Sequence, residues 1–84
     1  MDTIETAVHA FVVKEFLGGK GAARINEKTP LITGGILDSL ATLKLAGFLE
    51  QHYGIKVEAH EASVDYLNTI ADIGRFVRSK GGKG

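Results

Sequence analysis

No cysteine occurs among the 84 residues. That excludes disulfide staples, cysteine-based metal sites and a side-chain thiol nucleophile, so any thiol chemistry has to come from a prosthetic group. Neither sign of charge is in excess, with ten Lys and Arg against ten Asp and Glu. No apolar run approaches the roughly 20 residues that a membrane span needs. The opening Met1-Asp2-Thr3-Ile4-Glu5 has neither the basic stretch nor the apolar run of a secretory leader. A soluble, cytoplasmic chain is therefore expected. Its length fits one small domain over residues 1–80, with a flexible glycine-rich tail at 81–84.

Net neutrality conceals a pattern. Residues 1–37 hold four bases and four acids, residues 38–74 hold two bases and six acids, and residues 75–84 hold four bases and no acid. The central segment is thus the acidic one and suits basic partners rather than nucleic acid.

Apolar spacing of three and four residues predicts a first helix over 3–17, with Ile4, Ala7, Val8, Phe11 and Val12 inward. Asp2 and Glu5 form a capping-box pair at its start, and Gly18-Gly19 ends it. A connection over 18–37 follows, in which five glycines and Pro30 forbid a continuous helix. Ala22-Ala23-Arg24-Ile25 fits a short helical turn. Leu31, Ile32, Ile36 and Leu37 are the expected anchors of this loop to the core. The second helix, 39–53, is capped by Asp38 or Ser39. It is expected to be the most buried, with Leu40, Leu43, Gly47 and Glu50 along one line and Leu45, Phe48, Leu49 and His52 widening the apolar side. Gly47, costly in a helix interior, fits either close helix packing or room for a ligand. Ile55-Lys56-Val57 reads as an extended anchor and 61–66 as a short helix. Asn68 is the expected cap of a last helix to about Arg78, with Ile70, Ile73, Phe76 and Val77 inward. The fold class is all-α: a small four-helix bundle of three main helices and one short one.

The residues that bear chemistry are few. Ser39 stands where a glycine-containing loop becomes a helix, and orphan amides and the helix dipole favour an anion there. It lacks the Gly-x-Ser-x-Gly context and the preceding strand of a hydrolase nucleophile. His9, His52 and His60 are scattered and lack the close pairing of metal ligands. Gly18-Gly19-Lys20-Gly21 fails the spacing of a phosphate-binding loop and follows a helix instead of a strand. The basic C-terminal residues read as a solvated helix end.

Leu31, Gly35 and Asp38-Ser39-Leu40, in this order and spacing, resemble the acyl and peptidyl carrier proteins. The resemblance extends through Ile4-Glu5 with Val8, Phe11 and Val12, through Leu49-Glu50, Tyr53-Gly54-Ile55 and Val57, and through Leu67-Asn68-Thr69-Ile70. It implies a carrier-protein-like bundle that holds acyl or aminoacyl intermediates as thioesters on a 4′-phosphopantetheine arm attached to Ser39. It also implies that Asp38 is recognised by the transferase near its Mg2+ ion, and that Leu37, Leu40 and Lys44 face partner enzymes. The implied partners are a phosphopantetheinyl transferase and the enzymes that load and process the cargo. The chain itself is then a monomeric non-enzyme, without nucleic-acid or membrane partners or a metal site. Lys44 stands where fatty-acid-synthesis carriers usually have Glu, and Phe48 where they tend to have a smaller side chain. A specialised biosynthetic pathway is therefore expected rather than housekeeping fatty acid synthesis. The alternative is an unmodified helical interaction domain.

Overall fold

The computed structural model describes residues 1–82. Four α-helices carry the fold: α1 (Thr3–Phe16), α2 (Ser39–Tyr53), the single-turn α3 (Val64–Leu67) and α4 (Ile70–Ser79). Two 3-10 turns, Ala22–Arg24 and Ala59–Glu61, punctuate the connections. Among the described residues there is no strand, and no helix is long and apolar enough to cross a membrane.

The three longer helices, α1, α2 and α4, each start where a side chain meets an orphan amide. The capping box at α1 is present in both directions, with Glu5 N–H donating to Asp2 at 2.9 Å and Asp2 N–H to Glu5 at 3.0 Å. At α2 the cap is Asp38, not Ser39: its Oδ1 accepts from Ala41 N–H at 2.8 Å. At α4 the cap is Thr69, whose hydroxyl accepts from Asp72 N–H at 3.0 Å. Asn68 is therefore not the helix cap expected of it. Its side chain turns away to hold the loop that precedes Ser39.

The core comes from all four helices and that loop. Ile4, Val8 and Val12 of α1, Leu45 and Leu49 of α2, Leu67 of α3, and Ile70, Ile73 and Val77 of α4 are fully buried, together with Leu31 and Leu37. Burying each such side chain contributes roughly 1.5–3 kcal/mol. The inner face of α4 follows its spacing. That of α2 does not. Its buried residues are Ala41, Thr42, Leu45, Ala46 and Leu49, whereas Leu40 and Leu43 are 74% and 59% exposed. The apolar line through Leu40 and Leu43 thus faces outward, and His52 is exposed beside it. Apolar residues all around the sequence of α2 obscured which stripe faced the core. Gly47 has nothing within 4 Å of a would-be Cβ, so it does not mediate close packing. Gly74 does, because a Cβ there would lie 3.3 Å from Glu5 Cγ where α4 crosses α1.

The C-terminal glycines begin as part of the fold. Gly81 N–H donates to Arg78 O at 3.0 Å and Gly82 N–H to Val77 O at 2.9 Å, a C-terminal cap that leaves Gly82 buried. The expected flexible tail at 81–84 thus does not begin at Gly81, and its last two residues lie outside the described ones.

Two ion pairs tie distant elements together. Asp2 pairs with Arg78, joining the ends of α1 and α4. Lys80 Nζ lies 2.7 Å from Glu61 Oε1, which also accepts from Glu58 N–H at 2.9 Å. The Lys80 ammonium, then the Glu58 amide, hold the Glu61 carboxyl below its ordinary value of 4.5. A carboxyl depressed in the folded state stabilises above its unfolded value, and that contribution is lost as pH falls through the folded one. Lys80→Gln removes the principal cause. The melting temperature of the wild type should therefore fall more steeply than that of Lys80→Gln as pH drops below about 4.5. Parallel acid limbs in thermal melts would show that the pair has no such linkage.

Candidate functional site

The loop before α2 is shaped by its glycines and by one distant asparagine. Leu31 O accepts from Ile36 N–H at 2.9 Å and from Leu37 N–H at 2.8 Å, closing residues 31–37 into a compact turn. Gly35 sits at φ +83°, a left-handed conformation that glycine adopts without strain. At Gly34 a Cβ would overlap the Pro30 carbonyl oxygen. From the α3–α4 junction, Asn68 O accepts from Leu31 N–H at 2.6 Å, and Asn68 Oδ1 accepts from Ile32 and Thr33 N–H at 2.9 and 3.0 Å. Leu31 and Leu37, buried on either side of the turn, pin it to the core.

This scaffold delivers Asp38 and Ser39 to the surface. Ser39 is the first residue of α2, and it is exposed. Asp38 fixes the start of the helix from both of its oxygen-bearing groups: Oδ1 accepts from Ala41 N–H, and its carbonyl accepts from Thr42 N–H at 2.9 Å and Thr42 Oγ1 at 2.8 Å. Thr42 is buried through that bond, which satisfies its hydroxyl.

A groove of about 500 Å3 opens beside Ser39. Its walls are Ile32 and Leu37 from the loop, Asp38, Ser39, Thr42 and Leu43 from the start of α2, and Ala59, Ala62 and Ser63 from the segment opposite. Leu40, Leu43, Val64 and Tyr66 add exposed apolar surface. An exposed serine and an ordered helix start thus adjoin a groove with largely apolar walls.

Of the three expected docking positions, Leu40 and Lys44 are exposed. Leu37 is only 2% exposed and belongs to the core, so it is not on a docking surface. Leu43, which spacing alone had assigned inward, is exposed on the same helix. The acidity of residues 38–74 is also largely spent internally. Glu58, Glu61 and Asp72 pair with Lys56, Lys80 and Arg75, and the Glu50 carboxylate accepts from Val57 N–H at 2.9 Å.

The histidines are held apart. His9 Nε2 reaches the carbonyls of Ala22 and Ile25 at 2.9 and 3.2 Å and so acts as the donor tying α1 to the first 3-10 turn. His52 stacks on Phe48 with ring centres 5.0 Å apart. None lines the groove, and no three His, Cys, Asp or Glu side chains gather as a metal site among the described residues. Gly18, Gly19 and Gly21 adopt positive φ in a turn after α1, so that glycine run follows a helix end.

No protein-family model matches the chain, and no curated protein matches it. A chain of the solved structure named "Crystal structure of FAD-dependent dehydrogenase" is similar at 30% identity with a TM-score of 0.72, covering 82% of this chain and 96% of that one. At that identity and coverage the two chains belong to one family.

Proposed function

We propose that the protein is a carrier, modified at Ser39 with 4′-phosphopantetheine and serving a specialised biosynthetic pathway from the cytoplasm. The observation that carries this reading is Ser39 itself: an exposed hydroxyl at the head of a helix whose start is fixed by Asp38, beside a groove that leads away from it. On attachment by a transferase, the Ser39 oxygen loses its proton and bonds the phosphorus next to pantetheine in coenzyme A, and 3′,5′-ADP leaves. When bound, the arm supplies the thiol that the sequence lacks, and an acyl or aminoacyl group is carried there as a thioester. Asp38 orders the backbone around the acceptor hydroxyl and lies exposed for the transferase and its Mg2+ ion. Leu40, Leu43 and Lys44 present the docking face. Tethering keeps the cargo at high local concentration for successive enzymes, and the chain itself performs no catalysis.

Two features support a specialised role. Lys44 is exposed at a position where the resembled fatty-acid-synthesis carriers usually have Glu, and Phe48 stacks on Phe11 with ring centres 4.2 Å apart, filling space between α1 and α2. The related solved chain supports a reading of one partner class. From the coverage it is about 70 residues long, and a flavin-binding fold built from repeated strand–helix–strand units needs far more. A short carrier associated with a flavin-dependent dehydrogenase accounts for both its size and the name of its structure. We therefore place such a dehydrogenase among the processing enzymes of this carrier, with the flavin belonging to the partner.

The test is intact mass. Incubation with coenzyme A, Mg2+ and a broad-specificity phosphopantetheinyl transferase should add one phosphopantetheinyl group to the wild type and none to Ser39→Ala. An unchanged wild-type mass, where a control carrier is modified, would leave the unmodified interaction domain as the better reading.

A further inference from the structure

We infer that the Ser63 hydroxyl is the anchor that holds the Ser39-linked arm along the groove, by hydrogen bonding to one of the arm's amides. This rests on the carrier reading and adds a residue to it.

The groove contains three side chains with hydroxyl or carboxylate groups besides Ser39. Two are engaged: the Thr42 hydroxyl donates to Asp38 O at 2.8 Å, and Asp38 Oδ1 accepts from Ala41 N–H at 2.8 Å. Ser63 is different. Its Oγ is shielded from solvent and has no hydrogen-bond partner among the described residues. Ser63 also stands at the N-cap of α3, where a serine side chain ordinarily accepts from the first amides of the helix, yet it makes no such bond. Its carbonyl does the work instead, accepting from Tyr66 and Leu67 N–H at 3.1 and 2.9 Å.

A shielded, unpartnered hydroxyl is costly, and a serine has three staggered positions about χ1 to relieve it. Because Ser63 lines the groove, rotation can direct its hydroxyl there. A phosphopantetheine arm carries geminal methyl groups near the phosphate and two amides farther along. Ile32, Leu37 and Leu43 offer apolar contact close to Ser39, and Ser63 offers a donor and an acceptor across the groove.

The experiment compares apo and modified protein by 15N–1H correlation spectra, in wild type and in Ser63→Ala. The substitution removes no helix cap and no hydrogen bond found in the structure, so the apo variant should melt within a degree or two of the wild type. In the wild type, modification should shift the amides of Leu43, Ala59, Ala62 and Ser63 as well as those flanking Ser39. In Ser63→Ala, modification should still reach completion by mass, while the shifts at Ala59 and Ala62 fall to half or less. Equal shifts in both proteins, or wild-type shifts confined to residues 37–41, would overturn the role of Ser63 and leave the carrier reading standing. Absence of any mass gain would instead remove the carrier reading itself.

Discussion

Replacing Gly34 by alanine should destabilise the fold by about 2 kcal/mol, through a steric clash and not through backbone torsion. The φ of Gly34 is not in the positive region, so alanine meets no torsional penalty there. The obstacle is the Pro30 carbonyl oxygen, which the new Cβ would overlap, with the Pro30 carbonyl carbon 3.3 Å away. Both are backbone atoms and have no rotamer in which to retreat. Relief requires the turn to open. The turn is held by Ile36 and Leu37 N–H on Leu31 O, and by Leu31 itself, which is completely buried. For a domain of this size a loss of that order lowers the melting temperature by about 10 °C. Gly35 supplies the contrast. A Cβ there meets nothing within 4 Å, but φ is +83°. Gly35→Ala therefore carries only the left-handed penalty, roughly 1 kcal/mol. Thermal melts of the two variants rank the effects, and a smaller loss at Gly34 than at Gly35 would show that the turn yields more readily than its hydrogen bonds suggest.

These two glycines show what could be read from the sequence and what could not. The helix-breaking character of both is visible in the chain, because it is intrinsic to glycine. The difference between them depends on where a carbonyl four residues earlier points, which no local pattern encodes. The same division runs through the site. Asp38, Ser39 and the start of α2 follow from capping chemistry acting over three residues. The direction of Leu40 and Leu43 does not, since α2 is apolar on most of its circumference and only its neighbours decide which stripe is covered. The covered stripe is Ala41, Thr42, Leu45, Ala46 and Leu49, and the leucines at 40 and 43 remain outside. Hidden ion pairing likewise blunts the acidic segment. Glu61 meets Lys80 across a separation that charge counting along the chain cannot see.

Asn68→Ala should be the most damaging polar substitution near the site, costing about 2–3 kcal/mol, while Asn68→Asp should cost about 1 kcal/mol or less. The Asn68 side chain accepts from two successive backbone amides, Ile32 and Thr33, and its Nδ2 donates to Thr33 Oγ1 at 3.2 Å. Its own carbonyl accepts from Leu31, so one residue between α3 and α4 secures three consecutive amides of a loop more than thirty positions away. Alanine deletes the Oδ1 that accepts both bonds and leaves the part-buried Ile32 N–H unsatisfied, which adds a desolvation penalty to the lost bonds. Aspartate keeps an oxygen at the Oδ1 position to accept both amides and loses only the donor to Thr33. The two variants thus separate acceptance by Oδ1 from mere occupancy of the position. In urea titrations the midpoint of Asn68→Ala should drop well below that of Asn68→Asp, with similar slopes because the same surface is exposed on unfolding. Equal midpoints would mean that the amides of the loop find water as readily as they find Asn68. Modification of Ser39, measured below the unfolding transition, should survive in both variants. The acceptor hydroxyl is positioned by the Asp38 cap, whose bond to Ala41 N–H is made within three residues and does not pass through Asn68.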